Sequence, residues 1–392
     1  MDGQRRQRAK RDVISLCHRG LDYLTLFREA SARLNAAVPF DRTCWHTLDP
    51  ATLLFTSAWS QDLPHGPAVA AQLTRHEYEI DDVIKWSYLA GRDWPVGVLR
   101  HATHGCPDLS PRFRELLRPA GIGDELRASF VTGGAGWGAL GLYRDHRRNG
   151  FDDDEAALLA ELSSHLADGV RRALLLDGAP ASTEELGPGL VVLDAASDVE
   201  EMNAAAPALL ADIVEVAGVG GPSRLPTAVC AVAAQARAAA RGADTRPARG
   251  RTLTRLGRWL VLYGSMIGGS ADRVAVIIEH AGPGELAAMI MSAYGLSARE
   301  REVTRLVLQG RSTDDIAAAL SLSAYTVQDY LKLIFDKVGV HSRRQLTGMI
   351  FREHYQPRAW RGDRLSAEGW FAGAAQSQAD RSAAARGRAA SR

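Results

Sequence analysis

The chain has 392 residues, 46% hydrophobic and 24% charged, an ordinary globular composition with length for two or three domains. Its formal net charge is +1, which excludes coating of nucleic acid or membrane by bulk charge and confines any such surface to a local patch. Cys17, Cys44, Cys106 and Cys230 are scattered without a C-x-x-C pair, so neither a disulfide framework nor a structural zinc site is expected. No run approaches the ~18 apolar residues of a spanning helix. The apolar stretch after the basic MDGQRRQRAKR is too short for a signal-peptide core. A cytoplasmic chain without membrane contact is expected.

Taken in order, residues 1–12 read as a disordered basic arm. The first compact block, 13–176, opens on a helical spacing (Leu21, Leu24, Phe27, Leu34) and continues with the strand candidates TCWHTL and LLFTSAW. It closes with LRASFVT, a glycine-rich turn, WGALGLYR, and an amphipathic helix that starts at FDDDE and carries Leu158, Leu162, Leu166 and Val170. Trp45, Phe55, Trp59, Trp86, Trp94, Phe130 and Trp137 concentrate in this block, as the lining of a regulatory pocket or as plain core. The second block, 183–281, begins GLVVLDAASDVEEMNAAAPALL, a strand, turn, strand and helix pattern, with Asn203 ahead of the helix. An alanine-rich helix follows at 227–241, and RTLTRLGRWLVLYGSMI with DRVAVIIEHA reads as an antiparallel pair. Residues 282–295 read as a semi-rigid helical connector, able to pass a change onward. Residues 296–354 are helical throughout, and 356–392 form a disordered tail rich in Ala, Gly, Ser and Arg.

Several local patterns have bland explanations. GWGALG at 136–141 matches the dinucleotide fingerprint, but its glycines run into a strand and not into a helix N-terminus, so a hairpin is expected. His101, His104 and Cys106 have a metal-like spacing without a fourth ligand, and read as ordinary loop residues. Asp152, Asp153, Asp154 and Glu155 suit a helix N-terminus better than a calcium site. There is no phosphate loop, no nucleophile elbow and no ordered acid set of a phosphoreceiver domain. No enzymatic activity and no cofactor are expected; the rival reading, a sensory enzyme, would draw on His101, His104, Cys106 or Glu125.

The helical block carries four helix starts. Ser297 with Glu300 and Ser342 with Gln345 make capping boxes, Ser312 precedes the acids Asp314 and Asp315, and Ser323 caps a third helix. Only Ser321 and Leu322 separate the second and third helices, and Ala317 is small where they must cross. Val327, Leu331, Ile334 and Val338 place one face of the third helix in a core, leaving Tyr325, Gln328, Asp329 and Lys332 on the other. Short helix, tight turn and longer helix with a polar outer face is the helix-turn-helix arrangement. A four-helix dimerisation module with a solvated stripe has the same pattern.

The run LSAREREVTRLVLQGRSTDDIAAALSLSAYTVQDYLKLIFDKVGVHSRRQL resembles the DNA-binding domain of LuxR-type transcription regulators, without a gap. That resemblance implies backbone-anchoring roles for Thr326, Lys332, Lys337, Arg343 and Arg344, and base-reading roles for Gln328, Asp329 and Lys332. Ser323 and Tyr325 complete the expected DNA-binding set. Gln328 stands where the family usually has lysine, and Tyr330 where it usually has histidine. Gln328 suits bidentate pairing with adenine and Asp329 suits cytosine N4, so the stripe reads as tuned for base choice; relief of non-specific binding by Asp329 is the alternative. The first block resembles a GAF domain in pattern and order, and the second a PAS-like fold. The expected architecture is therefore an α+β multidomain chain: GAF-like and PAS-like α/β sensory domains, then an all-α four-helix helix-turn-helix domain. The expected partners are duplex DNA, a second copy of the chain, RNA polymerase, and an effector that is either a small molecule or another protein.

Overall fold

The computed structural model describes residues 2–63, 68–176, 187–213, 225–255, 257–267, 273–281 and 294–354. The chain divides into two units, Met1–Ala181 with Pro188–Ala281, and Ser182–Gly187 with Gly282–Arg392. The connector expected at 282–295 and the tail at 356–392 lie almost wholly or wholly outside the described residues. Among the described residues no helix is long and apolar enough to cross a membrane.

The first unit opens on α1 (Asp2–Cys17), which corrects the expectation of a disordered arm at 1–12. Ala9, Val13, Leu16 and Cys17 form a buried stripe at helical spacing. Arg6 pairs with Asp154 at 2.5 Å and Lys10 with Glu161 at 2.7 Å. The basic run is thus matched to acids about 150 positions away, a complement that local composition does not reveal. Helix α2 (Tyr23–Asn35) is capped by Asp22, which accepts from the Thr25 amide.

A five-stranded antiparallel sheet follows: β1 (Arg42–Leu48), β2 (Phe55–Gln61), β3 (Val96–Val98), β4 (Ile122–Thr132) and β5 (Ala135–Asp145), in the order β2-β1-β5-β4-β3. Gly133 and Gly134 both have positive φ, 58° and 74°, the combination a two-residue hairpin requires. GWGALG accordingly lies in β5, in a hairpin as its sequence indicates. Short helices α3 (Val69–Thr74), α4 (Trp86–Leu89) and α5 (Leu99–Ala102) fall between β2 and β4. The acid run starts α6 (Asp153–Leu176), where Asp152 accepts from the Glu155 amide and Glu155 from that of Asp152. His101 sits 3.4 Å from Asp153 and Cys106 is exposed.

Members of the aromatic set fall into two clusters. Trp45 stacks on Phe27 and meets Phe130 at a tilt, whereas Phe55 and Trp86 enclose His46 in a separate cluster with Tyr78. Trp94 is 52% exposed. Strand alternation sends neighbouring side chains to opposite faces, so a shared block is not a shared pocket. Beside the His46 cluster lies a buried ion network. Arg127 bridges Glu125 and Glu77 at 2.7 and 2.9 Å and stacks over Trp86, and Arg112 bridges Glu125 and Asp82 at 2.7 and 3.1 Å.

The second half of the unit repeats the plan: β6 (Gly189–Leu193), β7 (Val199–Met202), α7 (Ala206–Asp212), α8 (Thr227–Ala240), β8 (Arg249–Leu253), β9 (Trp259–Met266) and β10 (Val274–His280). Its order, β7-β6-β10-β9-β8, takes the strands in the same relative sequence as the first sheet. Asn203 ties the start of α7 to β6, accepting from the amides of Ala206 and Leu190. Every residue of α8 from Thr227 to Ala238 is buried, because the helix packs on its own sheet and also on β2 and α3. Alanines permit that double contact, and a side chain at Gly264 would come within 2.8 Å of Val232.

The two blocks expected as separate domains share one apolar core, whose members run from Cys44 to Ile278. The seam is polar. Asp49 accepts from Arg251 Nε and Nη2 at 2.8 and 2.9 Å, and Thr252 donates to the Thr56 carbonyl at 2.6 Å.

Candidate nucleic-acid interface

The second unit comprises α9 (Ala298–Leu308), α10 (Thr313–Leu320), α11 (Ala324–Val338) and α12 (Arg343–His354). Serines start each helix. Ser297 and Ser312 form reciprocal capping boxes with Glu300 and Asp315. Ser323 accepts from the Thr326 amide at 3.0 Å and Ser342 from that of Gln345 at 3.1 Å. Left-handed residues end α10 at Ser321 and α11 at Gly339, with φ of 54° and 73°, which stops each helix within one residue. Leu296, Val303, Ile316, Val327, Ile334 and Leu346 are among the members of a core that all four helices share. Ala317 is buried where α10 meets α11, so a larger side chain there would push the pair apart.

This packing fixes the outward face of α11. Val327, Leu331 and Ile334 point inward, and Tyr325, Gln328, Asp329 and Lys332 are all exposed on the opposite side. The face therefore holds one cation beside one anion at its centre, with Asp336 also exposed further along. Tyr330 packs at the edge of the core.

The remaining candidates are distributed differently. The Ser323 hydroxyl is engaged in its cap and lies 2.8 Å from the Thr326 hydroxyl. Lys337 donates to both Glu300 oxygens at 2.8 and 2.7 Å and to the Gly295 carbonyl at 3.2 Å. Burial alone would raise the Glu300 carboxyl, but Lys337 and the Ser297 amide outweigh it and hold the group below its ordinary range. Arg343 donates to the Arg311 carbonyl at 2.8 Å and the Thr313 hydroxyl at 2.9 Å. Arg344 is exposed. Arg311, Arg343 and Arg344 border a shallow groove of about 520 Å³ at the start of α12, away from the α11 stripe. Leu333, exposed one turn beyond Asp329, is absent from the sequence-based set; a helical wheel of α11 is the signal that finds it.

Lys332 and Lys337, paired by the sequence resemblance, thus have different surroundings. Replacing Lys337 with Ala is expected to lower the unfolding midpoint of this unit by the equivalent of about 1 kcal/mol, the scale of a half-exposed ion pair. Replacing Lys332 with Ala is expected to leave the midpoint unchanged. Thermal melts of both variants, followed by far-ultraviolet circular dichroism, distinguish the roles.

Residues 295–350 match the family model for bacterial regulatory proteins, luxR family. Spore germination protein GerE of Bacillus subtilis (strain 168) is 37% identical over 57 residues, covering 14% of this chain and 77% of that relative. Among solved structures, the chain is similar to a phycoerythrobilin-bound GAF domain from a cyanobacterial phytochrome, with 12% identity, a TM-score of 0.32, and coverage of 44% of this chain and 98% of that one. It is also similar to SdiA of Escherichia coli, with 12% identity, a TM-score of 0.32, and coverage of 88% and 96%. The VqsR LBD domain from Pseudomonas aeruginosa gives 12% identity, a TM-score of 0.30, and coverage of 43% and 96%. Likenesses at these TM-scores carry no functional argument. The match over the helix-turn-helix unit does: the chain belongs to the luxR family of bacterial regulatory proteins, DNA-binding transcription regulators.

Proposed function

We propose that this regulator selects its operator through Tyr325, Gln328, Asp329 and Lys332, under control of the two-sheet unit that precedes the helix-turn-helix. The observation that carries the reading is the outward stripe of α11, exposed and polar while the opposite face is locked into the core. A helix held in this way presents a fixed set of side chains to the major groove. Gln328 pairs with adenine N6 and N7, Asp329 accepts from cytosine N4, and Lys332 neutralises a phosphate and reads an adjacent base. Because the stripe carries so little net charge, it contributes more to base choice than to raw affinity. Two copies reading paired half-sites supply the remaining contacts.

Control acts as a population shift. An effector that favours one conformation of the unit formed by the GAF-like and PAS-like blocks changes how often the heads are free to pair on DNA. The effector is a small molecule or another protein.

A binding series against a randomised half-site at two salt concentrations tests the DNA reading. Lys332→Ala is expected to weaken binding to every sequence and flatten the salt slope by roughly one unit. Gln328→Ala is expected to cost roughly 1–3 kcal/mol at its preferred base pair and to leave non-specific binding nearly intact. Asp329→Ala is expected to relax one position and strengthen non-specific binding. A uniform loss of affinity in all three variants, with base preference unchanged, would make the stripe an electrostatic anchor only.

A further inference from the structure

Beyond the polar stripe, α11 carries a feature that packing does not explain. Leu333 is 49% exposed. Every other leucine among the described residues of this unit belongs to its apolar core or packs against it, and Leu333 does neither. Between residues 294 and 348 the only other large apolar side chain left exposed is Tyr325, at 74%. Tyr325, Asp329 and Leu333 are spaced four apart, so each is turned about 40° from the next on the helix, and the three make a single row. Two unpacked apolar groups therefore flank the acid on the same face that Gln328 and Lys332 occupy.

From this row we propose that Leu333 is a specificity-determining residue that reads a thymine through its C5 methyl group. The inference rests on the DNA-binding reading above and extends it to a position outside the polar set. Of the features on the major-groove edges of the four bases, the thymine methyl is the one an aliphatic side chain satisfies, with cytosine presenting only a C–H there. A leucine in water gains nothing, whereas one laid against a methyl removes apolar surface of both from solvent. Leu333 lies about 12 Å from Tyr325 along the helix axis, a length of three to four base steps. The thymine it reads is thus separated from the Tyr325 contact, with the Asp329 position between them.

The experiment uses the full-length protein and operators selected from a randomised duplex by the wild type and by Leu333→Ala. Wild-type selection is expected to enrich a thymine that the variant no longer enriches. Uracil, which lacks only the methyl, is then placed at each thymine in turn. At that one position it is expected to weaken wild-type binding about fourfold, the worth of one buried methyl-sized group, and to leave Leu333→Ala unaffected. The exposed site makes an unchanged circular dichroism spectrum and salt slope the expected controls. Three results overturn the proposal: wild-type binding indifferent to uracil throughout, a variant as sensitive to uracil as the wild type at every position, or a uniform loss of affinity with base preference retained. Absence of any salt-sensitive duplex binding by the wild type would overturn the DNA-binding reading and this inference with it, a result distinct from specific binding without methyl dependence.

Discussion

Glu125→Ala is expected to destabilise the N-terminal unit by roughly 3–5 kcal/mol, the range for breaking a buried ion pair from one side. The Glu125 carboxylate accepts from Arg112 Nε and Nη2 at 3.1 and 2.7 Å and from Arg127 Nε at 2.7 Å. Burial on its own would raise this carboxyl, and the two guanidinium groups more than reverse it, holding the group below its ordinary range. Removing it leaves both arginines at 1% side-chain exposure, with Asp82 and Glu77 as their remaining anions. Each arginine then keeps one carboxylate, but the buried Arg112 Nε and Nη2 and Arg127 Nε lose the acceptor they shared, and water cannot replace it without opening the unit. Tryptophan fluorescence reads the outcome, because six of the eight tryptophans lie in the N-terminal unit and residues 294–354 contain none. A urea melt showing a loss below about 1 kcal/mol would mean that these charges are already solvated in the folded state.

Acidification is expected to produce the second large effect, through His46. Burial, reinforced by the nearby Arg127 charge and only slightly opposed by the Ser57 backbone, pushes its imidazole down from 6.5 to about 3. The ring stacks on Phe55 at 4.1 Å, and the folded state keeps it neutral. The unfolded chain takes up a proton near pH 6.5 and the folded chain does not, so this contribution is complete above pH 6.5 and is lost as pH falls toward 3. The full loss is on the order of 4–5 kcal/mol, of which about 2 kcal/mol has gone by pH 5. His46→Phe keeps a stacking ring without a titrating nitrogen. The stability gap between wild type and this variant is expected to shift in the variant's favour by about 2 kcal/mol between pH 7 and pH 5. A gap that stays constant over that range would show that the ring is protonated, or reached by water, in the folded state. Carboxylates that titrate in the same window are common to both proteins and cancel in the comparison.

Both effects arise from residues whose chemistry was not visible along the chain. Arg127 and His46 sit in stretches that read simply as strands, and Glu125 stood out only as a candidate of the rival enzyme reading. Nothing local shows that Glu77, some fifty positions before Arg127, will meet it.

The helix-turn-helix unit was the opposite case. Its caps are contacts over three residues, its turns are set by single left-handed positions, and its apolar spacing closes on itself within about sixty residues. Local rules of that kind are written in order along the sequence, and they were sufficient to place Gln328, Asp329 and Lys332 on one exposed face. What they did not determine was the fate of long, flexible cations. Lys337 and Arg343 carry the same charge as Lys332, yet Glu300 on α9 and the Arg311 carbonyl in the turn after it take them up. The same holds at the N-terminus, where a basic run indistinguishable in composition from a disordered arm becomes α1 because Asp154 and Glu161 lie across from it. In the sheets, alternation gave the strands, but their edge-to-edge seam depends on Asp49 meeting Arg251 across about two hundred residues. Periodicity and capping act over one or two turns and therefore survive in the sequence as pattern. Charge pairing, the division of aromatics between two faces and the fusion of two blocks into one core depend on which distant surfaces meet, and only the folded chain decides that.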